Sequence, residues 1–350
     1  MNDREIRSLV KVQLPPEAFI KKPARILFCL PLIVFITAGV WLVAFVPFPW
    51  FLRLGLCFLI GNLYIALMLF AHEVGHGVHG GWAWQRWLVL FAGFLIYLIP
   101  PSLWTYWHNS AHHAHPNDPR IDPDNFDARE AARRGLGYRL LQSALVKGLS
   151  GLFALTIQGQ QVFWIYSRSE SRRQVFRSMR RWRASLELIA MVVFWGLVSL
   201  LLGLEGSLWG LLLPMAIANV VIMSYVVTNH LLCPMSTTLN SLRTTMSVKT
   251  LKVFDFIHLN FSHHTEHHLF PKVSHRYYPT VRQILEREFT CEYQAPNHWR
   301  ALLVVFRTPR AWNGEEFFDP GTGRKLGLPA LKQMLYAKSA NPPGTRLVRS

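Results

Sequence analysis

Residues 54–76 read LGLCFLIGNLYIALMLFAHEVGH. The first eighteen, bounded by Arg53 and His72, carry no charge, and two histidines four apart follow directly. A helix rises about 1.5 Å per residue and a bilayer's hydrocarbon core is about 30 Å thick, so the run predicts a membrane-crossing helix that delivers the histidines to a membrane face. Working outward, residues 26–46 form a 21-residue uncharged run, joined to the first through the turn-forming Val46-Pro-Phe-Pro-Trp50. The two read as a helical hairpin. A second hairpin is expected from residues 188–204 and 207–228, separated by Glu205-Gly206.

Composition agrees. The 350 residues are 51% hydrophobic and only 16% charged, against about 25% charged for an ordinary soluble protein, and mean hydropathy is +0.19. This excludes disorder, and the long uncharged runs with thirteen Trp point to a bilayer rather than to nucleic acid, despite a net charge of +17. The four Cys are far apart and form no CxxC, so neither a disulfide framework nor a thiolate metal site is expected. Residues 1–24 lack an early apolar core with a small-residue cleavage site, so no cleaved leader is expected.

Two further apolar stretches are broken. Residues 88–107 are uncharged but contain Pro100-Pro101, which remove backbone donors; the expectation is a re-entrant or interfacial segment with Trp82, Trp84, Trp87, Trp104 and Trp107 at headgroup level. Residues 148–166 contain Gln158, Gln160 and Gln161 and make a poor span. Lys and Arg concentrate in the N-terminal arm, in residues 72–187 and in the C-terminal 120 residues, which predicts that all three are cytoplasmic. The fold class expected is therefore all-α and integral to the membrane: a cytoplasmic arm 1–25, a four-span domain 26–290 in two hairpins with a histidine-rich cytoplasmic cap, and a surface tail 291–350.

The histidines are clustered. His72-Glu-Val-Gly-His76 follows the second span, His108-Asn-Ser-Ala-His112-His113 comes next, His230 closes the last span, and His264-Thr-Glu-His267-His268 follows. Imidazole is the commonest metal ligand, and ligands on one helix share a face when three or four apart; 72/76, 108/112 and 264/268 are i, i+4 pairs and 264/267 is i, i+3. One metal needs three or four protein ligands, so His72, His76, His108, His112, His113, His230, His264, His267 and His268 suggest two metals, and imidazole suits iron. His79, His115, His258, His263, His275 and His298 are left outside the ligand set, as residues that support it from behind or lie on the surface. Glu73, Asn229 and Glu266 are expected to support the ligands from behind.

These residues resemble the membrane fatty acid desaturase family, on His72-Glu-Val-Gly-His76, on His108-Asn-Ser-Ala-His112-His113 with the following Asp122-Pro-Asp124, and on His264-Thr-Glu-His267-His268-Leu-Phe-Pro271. The resemblance spans about residues 26–290. It implies a cytoplasm-facing centre of two iron ions held by the nine histidines, with His230 as the extra ligand between motifs. The reaction it implies uses O2 and two electrons to introduce a double bond into an acyl chain. The substrate would be a fatty acyl lipid or acyl thioester, and the partner an acidic electron donor, ferredoxin or cytochrome b5-like, with its reductase. Its docking surface would be the basic run Arg168, Arg172, Arg173, Arg177, Arg180, Arg181 and Arg183, which also suits anchoring to anionic lipid. No appended cytochrome b5 domain is expected, and the third motif begins with His rather than Gln, both unlike front-end desaturases. The same metal logic serves related diiron hydroxylases or ketolases acting on an alkane, carotenoid or sphingolipid. A rival comes from His72-Glu73-x-x-His76 itself, which resembles a site-2-type intramembrane metalloprotease with Glu73 as base, but no Asp lies in residues 188–228 to complete its zinc site. A metal transporter would need polar ligands inside the spans.

Overall fold

The computed structural model describes residues 1–124, 151–308, 312–313, 316–318 and 324–336. An N-terminal helix α1 (Asp3–Lys11) opens the chain, capped by Asn2, whose side chain accepts from the Glu5 backbone while Glu5 returns the bond. Helices α2 (Cys29–Phe45) and α3 (Trp50–Gly75) then form a hairpin through the expected proline-rich turn. After it come α4 (Ala83–Phe94), a short α-turn Pro101–Trp104 that runs on as a π-helix Thr105–His112, and α5 (Ala154–Trp164). Next are α6 (Arg181–Ser207) and α7 (Leu213–Val226), the latter continuing as a π-helix Val227–Leu231. Further helices, besides short turns such as Ser241–Thr244, are α8 (Lys252–Ile257), α9 (His264–Leu269), α10 (Tyr278–Glu288), α11 (His298–Arg307) and α12 (Leu328–Tyr336).

Among the described residues, three continuous helical stretches are long and apolar enough to cross a membrane: Pro23–Phe45, Trp50–Gly75 and Arg181–Leu231. The third folds back on itself. Glu187 bonds to Ser102, and the ring of His230 lies 4.5 Å from that of His112. Ser102 and His112 are at most about 36 Å apart along the chain, whereas a straight helix from Glu187 to His230 would cover about 65 Å. The reversal begins at Gly203, at φ 69° and ψ −176°, a conformation open only to glycine at little cost. The break expected at Glu205-Gly206 thus lies slightly earlier, because the chain reverses where the backbone can take positive φ. At this end Arg53, at the start of α3, forms an ion pair with Glu205, so both hairpin turns lie together, opposite to the histidines.

The segment around Pro100-Pro101 bends by 98° between Ala83–Tyr97 and Pro101–His112. Leu98 takes a left-handed conformation just ahead of the prolines, and Pro101 sits at the first helical position, where its missing N–H costs nothing. Helix α4 packs against α3 at contact distance because residue 93 is glycine: a Cβ there would stand 2.3 Å from the Ala71 Cβ and 3.0 Å from the Leu67 carbonyl oxygen. Outward, Leu200, Leu201 and Leu204 of α6 are more than three-quarters exposed, as on a surface that faces lipid.

The described chain is mostly helical, as expected, with one small antiparallel sheet of Trp312–Asn313, Glu316–Phe318 and Lys325–Gly327 in the order β1-β2-β3. The stretch expected as a surface tail needs correction, because it is packed where it is described. Ala301, Val304 and Val305 of α11 are buried with Tyr225, Val248, Trp312, Phe317 and Leu331, and the apolar spacing of α11 supplies the face that does this. Likewise Ile6 and Val10 of the N-terminal arm are buried against α10, and Asp3 accepts from both the backbone and hydroxyl of Ser241. Of residues 148–166, the first three lie outside the described residues. In the rest, Gln158 donates to Asp124 and Gln160 to the Leu98 carbonyl, so these two glutamines serve tertiary bonds.

Candidate metal centre

Nine histidines converge at the end of the helices away from the hairpin turns, in two groups: His72, His76, His108, His113 and His267, and His112, His230, His264 and His268. Within each group one nitrogen per residue lies within 4.8 Å of all the others. These are the nine positions singled out in the sequence, and none of the other six histidines enters either group.

How they divide differs from the spacing argument. His72 and His76 do share a group, as do His264 and His268, each one α-turn apart. His108 and His112 do not. Their segment is a π-helix, in which His113 N–H bonds to the His108 carbonyl at 2.9 Å, five residues back. A π-turn aligns i with i+5, so His108 meets His113 with their Nε2 atoms 3.0 Å apart, and His112 is turned to the other group. His264 and His267 also separate: on the single turn of α9, 264 and 268 face one group and 267 the other. His230 again stands on a π-helix, with Nε2 2.6 Å from that of His264.

The contacts suit cations between the rings. In the first group Nε2 atoms approach at 2.7 Å (His72 and His108) and 2.9 Å (His267 and His113). A neutral imidazole has one N–H and one lone pair, so several Nε2 atoms converging on one point cannot all be satisfied by hydrogen bonds to each other. Nine imidazole nitrogens with no thiolate make a donor set suited to iron, zinc or copper. Burial and neighbouring imidazoles hold His264, His267 and His268 well below the ordinary histidine pKa, which keeps them in the neutral form that ligates metal.

The ring nitrogens turned away from the centre have specific partners. His112 Nδ1 lies 3.0 Å from Asp122 Oδ2 and 3.2 Å from Asp124 Oδ2, and His267 Nδ1 lies 3.0 Å from the Tyr278 hydroxyl. Such bonds set the tautomer and aim of a ligating imidazole. Asp122 is the more acidic of the two carboxyls: burial opposes its charge but the His112 imidazole outweighs it, while burial pushes Asp124 up to about 6. Asp122 also accepts from the backbone of Asn117, whose side chain donates to the carbonyls of His230 and Thr244. Asn117 thereby ties the second motif to the segment carrying His230.

The three expected supporting residues behave differently. Glu73 points away from the rings: one oxygen accepts from the His275 backbone at 3.0 Å, the other lies 2.9 Å from His275 Nδ1 and 3.3 Å from His79 Nε2. Glu266, fully buried, accepts from Arg282 at 3.2 Å, from the Tyr293 hydroxyl at 2.5 Å and from Ser247, anchoring α9 to α10 and to residues 247 and 293. The Asn229 side chain is buried without a hydrogen-bond partner among the described residues. Sequence reasoning gave no role to Asp122, Asp124, Asn117 or Tyr278, and it set His275 aside as a supporting or surface histidine. Asp122-Pro-Asp124 stood in plain view near the second motif, whereas Tyr278 and His275 carry no local pattern.

Both histidine groups border one narrow cavity of about 70 Å³. His72, His108, His112, His230 and His264 line it, opposite Met68, Leu69, Phe94, Ile99, Ile222 and Phe261.

No curated protein matches the chain closely. A family model described as fatty acid desaturase matches residues 48–301, more than half of the chain and all nine histidines. The chain therefore belongs to the fatty acid desaturase family.

Proposed function

We propose that this protein is a diiron, O2-dependent desaturase that introduces a double bond into a lipid acyl chain. The observation that carries the reading is the apolar cavity bordered by both histidine groups, inside a member of this family. His72, His76, His108, His113 and His267 would hold one iron, and His112, His230, His264 and His268 the other. When bound, the two ions would supply, with O2 and two electrons from a donor, an oxidant strong enough for an unactivated methylene C–H bond, which no side chain can attack. The protein's own part is positional. Met68, Leu69, Phe94, Ile99 and Ile222 admit an alkyl segment and exclude water, while Asp122 and Tyr278 fix the aim of His112 and His267.

The helices are read as crossing the bilayer four times, in two hairpins, with the histidine end and both termini cytoplasmic. Support comes from the shared location of Arg53 and Glu205 at the opposite end and from the concentration of Lys and Arg around the histidines. A cleft of about 600 Å³ beside His76 is lined by Lys21, Arg86, Arg180, Arg183 and Lys272. Among the described residues only Arg183 of these pairs with a carboxylate, Glu187. This surplus of positive charge supports docking of an acidic electron donor there. The orientation of Glu73 weighs against the metalloprotease reading, since its carboxylate is occupied by His275 and His79 instead of facing the rings.

The test is expression in a host with simple lipids and mass spectrometry of its fatty acids with double-bond localisation. A new unsaturated species is expected. His268→Ala and His112→Ala should each lower bound iron and abolish the product while the protein stays in the membrane. A hydroxylated lipid or oxidised pigment redirects the reading to a related hydroxylase or ketolase, and full activity in both variants overturns the site.

A further inference from the structure

A second cavity, of about 580 Å³, shares no lining residue with the one over the histidines. Its size is that of a typical small-molecule site. Phe28 and Leu32 line it from the start of the first hairpin helix, Leu63, Ala66 and Phe70 from α3, and Phe256 from α8. Its lining also carries two guanidinium groups, Arg25 and Arg276, with the imidazoles of His79 and His275. Neither arginine makes an ion pair or side-chain hydrogen bond among the described residues; Arg25 is half-buried and Arg276 exposed. The one carboxylate in the lining, Asp255, accepts from the hydroxyls of Thr250 at 2.6 Å and Ser262 at 2.5 Å.

We propose that this groove binds one anionic glycerophospholipid, with an acyl chain along Phe28, Leu32, Ala66 and Phe70 and its phosphate drawn to Arg25 and Arg276. Three features select that ligand over other occupants. The groove adjoins the surface that the first hairpin helix presents to lipid, where Leu27, Leu30, Val34 and Phe35 are all about half exposed or more. Arg25 follows Lys21 and Lys22 immediately before that helix, at the level where headgroups lie. Two guanidinium groups without a carboxylate partner among the described residues suit a phosphate by charge-assisted hydrogen bonds, and a lipid with a net negative charge meets them without the opposing cation of a choline headgroup. The proposal stands apart from the catalytic reading, because it requires only that the protein lie in a membrane.

The experiment uses the full chain purified in a non-ionic detergent, offered equimolar phosphatidylglycerol and phosphatidylcholine with identical acyl chains, and analysed by native mass spectrometry. One retained phosphatidylglycerol per chain is expected, in clear preference to phosphatidylcholine. Arg25→Gln with Arg276→Gln should weaken its retention about tenfold. Ala66→Phe, which fills the apolar part of the groove, should displace it with both arginines in place. Since Arg276 is exposed and has no ion-pair partner among the described residues, Arg276→Gln alone should leave the fold intact and give a partial loss. Equal retention of the two lipids overturns the proposal. So does retention unchanged in both the arginine pair and Ala66→Phe, or an equal loss on substituting the exposed Arg168 and Arg173, which would make the attraction diffuse.

Discussion

If the nine histidines hold metal as proposed, each ligating imidazole has a second nitrogen, and what it touches decides which lone pair faces the metal. Asp122 does this for His112 at 3.0 Å, in a fully buried position. Asp122→Asn keeps the shape but replaces an acceptor-only carboxylate by an amide, so the bond to His112 weakens and the tautomer is no longer enforced. Loss of such a partner typically costs about 10–100-fold in metal affinity. The expected outcome is a fall of that size in iron affinity, measured by chelator competition, with helix content unchanged by circular dichroism. Glu73 shows the opposite lesson. By spacing it belongs to a zinc-hydrolase motif, yet its oxygens serve His275 and His79, residues about two hundred positions and six positions away. Its role follows from those partners, and no local pattern announces them.

Among the elements, the π-helices Thr105–His112 and Val227–Leu231 matter most for the site. An α-helix over 105–113 would align His108 with His112, as the spacing suggests. The π-turn aligns His108 with His113 and releases His112 to the second group. Deleting Ser110 shortens this segment by one residue and brings the old His108 and His113 to α-helical spacing. The expected result is loss of the bulge, a misdirected His112 and iron reduced to about one equivalent per chain. Metal analysis of the purified variant checks it, and two irons retained would mean that the bulge is not needed. Elsewhere the elements follow simple chemistry: Gly203 reverses the chain, Leu98 with Pro100-Pro101 bends it, and Gly93 lets α4 touch α3.

Over the whole molecule, charge and apolar surface separate. The hairpin turns hold one exposed ion pair, Arg53 with Glu205, while the histidine end carries the basic cleft. If an acidic donor docks there, reversing Arg86 and Arg180 to Glu should raise its KM severalfold at low ionic strength. The difference should shrink by about 0.5 M salt, where the screening length falls well below 10 Å. Steady-state rates with a reduced donor at several salt concentrations measure this, and these two are better choices than Arg181, which donates to the Phe163 carbonyl and holds the fold. Much of this architecture was legible in the chain itself. Uncharged runs of membrane length, a proline break and nine clustered histidines are local features, and local periodicity determines them. The five-and-four division of the histidines, the reversal at Gly203, the packing of residues 298–308 and the carboxylate behind His112 belong to tertiary structure. They depend on backbone register and on side chains brought together from distant segments, and helical spacing contains neither.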